Sequence, residues 1–525
     1  MTVTVAIPRP PASQRRLPAA RGRAPAYVSA GTESFTISVN GALADEVDVD
    51  PSVSSCSAQA QSIACSARID APVGDDTFAL TLYAGFHASG PVLSSGTAAQ
   101  TVQLGAGNAV AIVLHGVVTS TVVALASPHP QMGAPSTTAM TVTAYDAAGA
   151  PITGTASYAT PLTLVNSDAS GATSLSATTL AGPNDPAPSL TYDGASFVNA
   201  SITANAGPKT QTLAGVLQPV LRAAEFAVPS GNATNSRFGT GSLAVAGDGA
   251  IWFIDDTAIG RVTTGGSVTE HALGATPYGI TLGPDGALWF TESGPAVARL
   301  TTGGTLSTYP SGTFGEAITA GPDGNVWYFA SVTHEALVKV TPSGTQTTVP
   351  LQFPSSSSSS LFQALLVLGS DGNFWSADGQ GDVARITPSG VVTLFPLPSS
   401  VNGTPIALAT AADGALWLDT SLGSVARVTT AGTVTATYVT NVFQTATFQF
   451  AQGPDGAFWF PGGGGSDAAR IGRIDAAGNA AIFLIPKSAP VPPSFFAPQP
   501  TGFVAGPDGN LWYTRGSSVG RVQLH

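Results

Sequence analysis

Acidic residues recur at one position of a tandem repeat in the C-terminal part of the chain. Each of the seven tryptophans stands four residues after the Asp of an Asp-Gly pair, and the residue three places after each tryptophan varies. Those seven variable residues are Asp255, Glu292, Ala330, Asp378, Thr420, Gly462 and Arg515. If the repeats form equivalent sheets, these side chains lie at one level. Carboxylates gathered in this way hold a divalent cation or a cationic ligand.

Neighbouring acids extend this candidate site. Asp256 and Asp419 are sequence neighbours of two of the seven variable residues, Asp255 and Thr420. Glu316 is expected to reach the same site from an adjoining loop. The predicted ligand-binding residues are Asp255, Glu292, Glu316, Asp378 and Arg515. The predicted metal ligands, for Mg²⁺ or Ca²⁺, are Asp255, Glu292 and Asp378, because these cations prefer carboxylate oxygens. The same pattern also fits a solvated rim in which Arg515 forms an ion pair.

The repeat that positions these residues predicts a β-propeller. In Gly283-Pro-Asp-Gly-Ala-Leu-Trp-Phe290, Pro, Asp and Gly are typical of a tight turn, and the residues on either side read as strands. Two further strands follow in each repeat. The tryptophan spacings of 37, 38, 48, 42, 42 and 53 residues lie near the roughly 40–50-residue period of propeller blades. We therefore predict a seven-bladed propeller over 220–525.

The two ends of this region are predicted to pair. The last repeat contains only three strands, whereas residues 223–229 match the fourth-strand phrase of other repeats. Pairing these residues with the last repeat would complete its blade and remove the open sheet edges of the ring. A basic residue such as Arg299 recurs in each third strand. Because it recurs, we predict a structural role for it, pairing with Asp or with backbone carbonyls of its neighbour.

Two β-sandwich domains are predicted before the propeller, at 27–119 and 120–219. Short strand patterns separated by Gly and Pro are typical of that architecture. The phrase TVTAYDAAGAPITG, residues 141–154, resembles bacterial immunoglobulin-like surface modules. Residues 1–26 are rich in Arg and Pro and are predicted to be a disordered tether. The predicted fold class is therefore all-β, with two immunoglobulin-like sandwiches followed by a seven-bladed propeller.

Composition favours an exported protein. Charged residues make up 10% of the 525 residues, against roughly 25% in ordinary soluble domains. Cys56 and Cys65 are predicted to form a disulfide in an oxidising compartment, the alternative being two free thiols.

The net charge of −12 argues against nucleic acid, and no apolar run is long enough for a membrane-spanning helix. We expect a monomer outside the cytoplasm, extracellular, on the cell surface or in the periplasm. Because residues 1–23 lack a signal peptide pattern, we expect the natural start to lie upstream.

The phrases ITLGPDGALWFTES and VARLTTGGTLSTYP, residues 280–293 and 297–310, resemble the virginiamycin B lyase family of seven-bladed propellers. The resemblance covers 223–525. It implies a lyase that opens streptogramin B rings by elimination, with Mg²⁺, a His base and carboxylates at one mouth of the channel. The family places that His fourteen residues before a Glu. Here Glu292 keeps its place, but Tyr278 stands at the His position. A phenol is a poor general base at neutral pH.

Three functions remain open at this stage. The first is an interaction module that binds a small molecule, glycan or protein at the propeller mouth. The second is a lyase with an altered site, in which Glu292 and Tyr278 are the candidate catalytic residues. The third is a lactonase-like hydrolase. Of the histidines, only His334 follows a tryptophan closely enough to reach a face of the ring.

Overall fold

The computed structural model describes most of the chain. The described residues are 2–8, 27–59, 62–105, 108–154, 157–230, 242–330, 335–354, 365–377, 381–439, 450–462, 469–485 and 500–524. Every helix or strand assigned among them is a β-strand, and so none of their segments is a helix suited to crossing a membrane. The chain forms two compact units, Met1–Gln218 and Pro219–His525.

The first unit begins with two sheets that enclose one apolar core. Its first eight strands are β1 (Thr2–Pro8), β2 (Ser34–Val39), β3 (Ala42–Asp48), β4 (Cys56–Ala58), β5 (Ser62–Arg68), β6 (Gly74–Tyr83), β7 (Val92–Val102) and β8 (His115–Gly116). They form a three-stranded sheet in the order β1-β5-β4 and a five-stranded sheet in the order β3-β2-β6-β7-β8. Side chains such as Ile7, Phe35 and Phe78 fill the space between the sheets.

The prediction of disorder over 1–26 was wrong for Thr2–Pro8. This segment is β1, which pairs antiparallel with β5 along its whole length. The alternation in Thr-Val-Thr-Val-Ala-Ile-Pro explains the difference, because it buries Val5 and Ile7 in the core. The Arg and Pro residues that suggested a tether follow this strand. Residues 9–26 lie outside the described part of the chain.

Cys56 and Cys65 form the predicted disulfide. They face each other on β4 and β5, which pair antiparallel. The bond therefore links neighbouring strands at the edge of the three-stranded sheet.

Nine further strands complete the first unit. They are β9 (Ser120–Leu125), β10 (Ser136–Tyr145), β11 (Leu162–Asn166), β12 (Thr173–Leu175), β13 (Thr179–Leu180), β14 (Ser189–Tyr192), β15 (Ala200–Asn205), β16 (Gln211–Leu213) and β17 (Gly215–Leu217). One sheet has the order β12-β14-β10-β9-β16 and the other β13-β11-β15-β17. Strand pairing changes between β8 and β9, yet all four sheets lie within the same compact unit. Contacts such as Tyr27 Oη donating to Asp146 at 2.9 Å connect the two sheet pairs.

The described residues of the second unit form seven four-stranded antiparallel sheets. Strand β18 (Ala223–Ala227) comes first. Sheet 1 is β19 (Leu243–Val245), β20 (Ala250–Asp255), β21 (Ala258–Thr263) and β22 (Val268–Ala272). Sheet 2 is β23 (Pro277–Leu282), β24 (Leu288–Glu292), β25 (Ala296–Leu300) and β26 (Leu306–Pro310). Sheet 3 is β27 (Gly315–Ala320), β28 (Val326–Ala330), β29 (Ala336–Val340) and β30 (Gln346–Pro350). Sheet 4 is β31 (Val367–Leu368), β32 (Phe374–Ala377), β33 (Asp382–Ile386) and β34 (Val392–Pro396).

The remaining three sheets repeat the same order. Sheet 5 is β35 (Pro405–Thr410), β36 (Leu416–Thr420), β37 (Ser424–Val428) and β38 (Val434–Val439). Sheet 6 is β39 (Ala451–Gln452), β40 (Phe458–Pro461), β41 (Arg470–Ile474) and β42 (Ala480–Leu484). Sheet 7 is β43 (Gly502–Ala505), β44 (Leu511–Arg515) and β45 (Ser518–Val522), with β18 as its fourth strand.

Sheet 7 contacts both of its neighbours and so joins the two ends of the unit. Strand β18 pairs with β45, with Glu225 opposite Gly520. Strand β43 contacts β39 of sheet 6 and β19 of sheet 1. The ring of Phe226 on β18 lies against the turn at Gly266 in sheet 1, where an added Cβ would come within 2.1 Å of it. The seven sheets thus follow one another in a propeller-like ring.

A repeated three-residue contact explains why the Asp-Gly-containing motif recurs. In sheet 2, the carboxylate of Asp285 accepts the Trp289 indole N–H at 3.0 Å through one oxygen. Its other oxygen accepts the Arg299 guanidinium at 2.6 Å. The tryptophan also stacks on an aromatic residue of the outer strand, here Tyr309. The recurring basic residue therefore has the predicted structural role, and its partner Asp belongs to its own repeat.

A glycine two residues before the Asp, present in five of the seven repeats, leaves room for this contact. At Gly283, an added Cβ would lie 2.4 Å from Cδ1 of Trp289 and 2.7 Å from the Asp285 carboxylate. Ala246 takes this position in sheet 1, where the Trp–Asp bond lengthens to 3.3 Å, against 2.9–3.1 Å in sheets 2, 3 and 4. A methyl group at this position therefore weakens the contact.

We expect Gly283→Ala to lower the free energy of unfolding of the second unit by about 1–3 kcal/mol, because Trp289 is buried and cannot move aside. Tryptophan fluorescence in a denaturant titration reports on this unit alone, since all seven tryptophans lie in it. Gly274→Ala is the matched control, because no atom lies within 4 Å of its added Cβ. Equal midpoints for the two variants would contradict the proposed role of Gly283.

Candidate functional site

Strand pairing places the predicted acids at one end of the sheets. In sheet 2 the first strand begins where the second ends, so that Pro277 lies opposite Glu292. Asp255 likewise ends β20, Asp419 lies next to the end of β36, and Glu316 lies near the start of β27. Because the sheets repeat one strand order, these ends share one face of the ring. We call this face the acidic end and define it by Asp255, Glu292, Glu316 and Asp419.

Irregular pairing marks the acidic end in three sheets. The register shifts between Pro277 and Gly279, and comparable shifts occur between Glu316 and Ile318 and between Pro405 and Ala407. The first of these shifts places Tyr278 in a bulge, directly beside the residue opposite Glu292. In sheet 3 the shift coincides with a positive φ of 41° at Ala317. Bulges re-aim side chains and are common beside functional sites.

The four carboxylates are buried, whereas the alternative interpretation of the sequence pattern was a solvated rim. Asp255 is 0% exposed, Asp419 2%, Glu316 4% and Glu292 5%. For Asp255, Glu292 and Asp419, burial favours the neutral form and raises the pKa of the carboxyl group. Groups with such shifts are concentrated at functional sites.

Asp255 lies in a small polar cluster between β20, β22 and the segment after β18. It accepts the hydroxyl of Ser230 through one oxygen, while its other oxygen is buried and has no hydrogen-bond partner among the described residues. The Ser230 amide donates to Glu270 at 3.0 Å. Burial, together with the nearby Glu270 carboxyl, raises the pKa of Asp255 to about 6. No sequence pattern pointed to Ser230 or Glu270, which belong to a loop and an outer strand.

Glu292 and Glu316 lie on sheets that touch. Gly315, next to Glu316, packs against the side chain of Thr291, next to Glu292; an added Cβ there would lie 2.7 Å from the Thr291 methyl group. The Thr291 hydroxyl is buried and has no hydrogen-bond partner among the described residues. Burial raises the pKa of Glu292. This part of the acidic end therefore brings two buried carboxyl groups and a buried hydroxyl onto neighbouring sheets.

The pKa of Asp419 is raised further above its ordinary value than that of Asp255. Burial raises it to about 7, even though the Thr420 amide donates to its carboxylate at 2.8 Å. A carboxyl group with this pKa exchanges a proton near neutral pH. The sequence placed Asp419 beside the level of variable residues but did not include it in the ligand set.

Arg515 is engaged within sheet 7. Its guanidinium donates to Glu225 of β18 at 2.7 Å, and both side chains are 5% exposed. Tyr513 donates its hydroxyl to the same carboxylate oxygen at 2.9 Å. The contact requires Gly520 between them, since a Cβ there would lie 2.0 Å from the Tyr513 ring. Arg515 thus holds the closing strand in place, and a ligand-binding role for it stays a prediction.

The described part of the acidic end does not form a three-ligand metal site. Among described residues, only Glu46, Asp48 and His87 in the first unit bring three His, Cys, Asp or Glu ligand atoms within 4.8 Å of one another. Asp378, the third predicted ligand beside Asp255 and Glu292, lies outside the described residues, as does His334. The choice of Asp255, Glu292 and Asp378 as ligands of Mg²⁺ or Ca²⁺ therefore stays a prediction.

Comparison with known families identifies the second unit. The model of the virginiamycin B lyase family matches residues 214–402 and 400–525, which is more than half of the chain. The chain belongs to the virginiamycin B lyase family. A search of curated proteins found no match.

Members of the virginiamycin B lyase family are among the solved structures that resemble this chain. A streptogramin B lyase is 23% identical, with a TM-score of 0.48, 58% of this chain covered and 98% of the other. A catalytically inactive His-to-Ala virginiamycin B lyase from Staphylococcus aureus, solved with quinupristin, is also 23% identical, with a TM-score of 0.46 and 58% and 100% covered. The WD40 β-propeller domain of Doa1 is 11% identical, with a TM-score of 0.42 and 58% and 98% covered.

Proposed function

We propose that this member of the virginiamycin B lyase family is an exported ligand-binding protein. Its second unit is a seven-bladed propeller, and the acidic end receives a cationic ligand. The observation that supports the proposal most directly is that four buried carboxyl groups lie on one face of the ring. The guanidinium of Arg515 forms an ion pair with Glu225 of the closing strand. Such a face attracts a positively charged group.

The residue at the family's His position argues for binding over elimination. Tyr278 lies in the bulge facing the end of β24, at the position where the family resemblance implies a His base. The described histidines, His87, His115, His129 and His271, lie elsewhere, and His271 stacks on Trp252 in the core of sheet 1. Without an imidazole facing Glu292 in the described part of the site, proton abstraction has no evident base.

Calorimetric titration of the full chain with amines tests this proposal. Spermidine and related polyamines serve as cationic probes, and their derivatives acetylated at every nitrogen serve as neutral counterparts. We expect Glu292→Gln and Glu316→Gln to weaken binding of the cationic probes by about tenfold or more, since each removes a charge that the ligand faces. Glu335→Gln, at an exposed residue of the same unit, is the control. Equal affinity for charged and acetylated probes would contradict the proposal.

A lyase with an altered site is the second candidate function. One observation favours it: Glu292 keeps the family position, is buried and has a raised pKa. The test is chromatographic separation of closed and ring-opened quinupristin after incubation with the protein. Ring opening that disappears in Glu292→Ala would establish this function. We expect no ring opening above the rate in buffer.

Export is proposed from the first unit. The Cys56–Cys65 disulfide is typical of proteins that fold in an oxidising compartment, and the low content of charged residues agrees with it. We propose that the paired sheets of Met1–Gln218 are two immunoglobulin-like sandwiches that form a stalk for the propeller. Fractionation of cells that express the protein checks this, with the disulfide scored by mass spectrometry without reduction. Reduced thiols in a cytoplasmic fraction would count against export.

A further inference from the structure

Three potential metal-ligand side chains converge in the first unit, far in sequence from the acidic end. Nδ1 of His87 lies 2.9 Å from a carboxylate oxygen of Asp48 and 3.8 Å from one of Glu46. One ligand atom from each of the three residues lies within 4.8 Å of the others. No part of the proposed function uses this cluster.

The topology of the five-stranded sheet brings the three residues together. Glu46 and Asp48 alternate with the buried Val47 on β3, so both point away from the core. Strand β2 lies between β3 and β6, and its first residue, Ser34, pairs with Asp48 on one side and Tyr83 on the other. The loop that follows Tyr83 carries His87. The end of β3 and this loop are therefore neighbours by strand order.

Hydrogen bonds hold the His87 loop in one position. Asp48 accepts the His87 amide at 2.6 Å through the oxygen that does not face the imidazole. The buried Ser34 hydroxyl donates to Gly85 at 2.5 Å and accepts the Ala88 amide at 3.0 Å. The imidazole is thus placed beside the two carboxylates by backbone contacts on both sides of His87, and a ligand would not have to order the loop.

The donor set indicates which cation fits. One imidazole nitrogen and two carboxylate oxygens suit Zn²⁺ or a similar transition metal, whereas Ca²⁺ and Mg²⁺ prefer oxygen alone. Zinc bonds of about 2.0–2.2 Å to nitrogen and oxygen place tetrahedral ligand atoms roughly 3.3 Å apart. The two measured separations, 2.9 and 3.8 Å, bracket that value. The two carboxylates also balance the charge of a divalent ion.

We propose that Glu46, Asp48 and His87 form a binding site for Zn²⁺ or a similar divalent transition metal on the exposed face of the first unit. His87 is the nitrogen ligand, and each carboxylate supplies one oxygen. The cation keeps a coordination position open to solvent, because His87 itself is 83% exposed. That position would accept water or a donor group from a binding partner.

Titration of the untagged full chain with Zn²⁺, followed by calorimetry, tests the site. We expect one Zn²⁺ per chain to be lost in His87→Ala, and affinity to fall by about tenfold or more in Glu46→Gln. His129→Ala, at another exposed histidine of the same unit, should bind as the wild type does. An excess of Ca²⁺ or Mg²⁺ should not displace the zinc.

Co²⁺ provides a second measurement that reports the ligands directly. Its visible absorption should appear on addition to the wild type and shift or vanish in His87→Ala, while circular dichroism stays unchanged because the residue is exposed. Failure of the wild type to bind Zn²⁺ would overturn the proposal. Equal Zn²⁺ affinity and equal Co²⁺ spectra for wild type and His87→Ala would overturn it as well. Glu292→Gln should leave both readouts unchanged, which separates this site from the acidic end.

Discussion

Glu225→Gln should destabilise the second unit by about 3–5 kcal/mol, because it leaves the buried Arg515 guanidinium without its counter-charge. Glu225 is the sole described carboxylate for which an ion pair with Arg515 is observed, and it also accepts the Tyr513 hydroxyl. The loss should be visible as an earlier midpoint in a denaturant titration followed by tryptophan fluorescence. The signal comes from the second unit alone, which avoids mixing the unfolding of the two units.

Two further variants separate the ion pair from general damage. Combining Glu225→Gln with Arg515→Met removes both charges, and we expect the double variant to be more stable than Glu225→Gln alone, since the unpaired charge is gone. Glu335→Gln, which neutralises an exposed carboxylate in sheet 3, should change the midpoint by less than about 0.5 kcal/mol. A Glu225→Gln midpoint equal to that of Glu335→Gln would show that the closing strand does not depend on this pair.

Lowering the pH from about 8 to about 5 should stabilise the second unit, contrary to the usual expectation that protonating native carboxylates weakens a protein. Burial raises the pKa of Asp419 to about 7 and that of Asp255 to about 6. Because these folded-state values lie above the unfolded ones, the native state binds protons that the unfolded chain does not. The stabilisation is therefore gained as pH falls through about 7 and 6, and it is fully present below about pH 4.

The opposite sign applies to the repeated turn aspartates. Arg299 and the indole of Trp289 hold the pKa of Asp285 below its usual value despite its partial burial. Stability from such groups is present above the unfolded pKa and is lost as pH falls below about 4. The two sets together predict greatest stability in mildly acid solution.

Asp419→Asn isolates the larger of the two contributions. It should raise the free energy of unfolding at about pH 8 by up to roughly 4 kcal/mol, which is the value of a three-unit pKa shift, and it should flatten the pH profile. Fluorescence-monitored unfolding at a series of pH values gives this profile, with Glu335→Gln as the unchanged reference. A wild-type profile that falls steadily from about pH 8 to about 5 would contradict the assignment of raised pKa values.

The tryptophan repeat allowed much of the second unit to be predicted, because its contacts are local and periodic. Asp285, Trp289 and Arg299 lie within fifteen residues of one another. The four-residue spacing from Asp to Trp returns in all seven repeats, and the basic residue follows the Asp by 13 to 18 residues. Residues 223–229 match the fourth strand of other repeats, and the last repeat has only three strands of its own. This match correctly indicated that 223–229 lies beside the last repeat, where β18 pairs with β45. By contrast, β1 was missed because a single short alternating segment stands next to an Arg- and Pro-rich stretch.

The candidate site was less accessible from sequence because its properties depend on burial and on distant partners. Glu225 and Arg515 are 290 residues apart, and their contact requires Gly520 to leave room for Tyr513. The tryptophan spacing predicted that Asp255 and Glu292 lie at the same end of their sheets, because each stands three residues after a tryptophan. That these acids are buried, and that Ser230 and Glu270 surround Asp255, follows from packing between sheets, which a spacing pattern does not encode.

Proton release on binding tests the central claim most directly, because a cation that enters the acidic end must lower the pKa of the carboxyl groups it faces. Spermidine is titrated into the full chain at about pH 6.5, in buffers of different ionisation enthalpy, so that the protons released per bound ligand are measured. We predict net release by the wild type and less release by Asp419→Asn and Glu292→Gln. Binding with no release of protons, or release that neither variant changes, would contradict the assignment of the ligand site to this face of the ring.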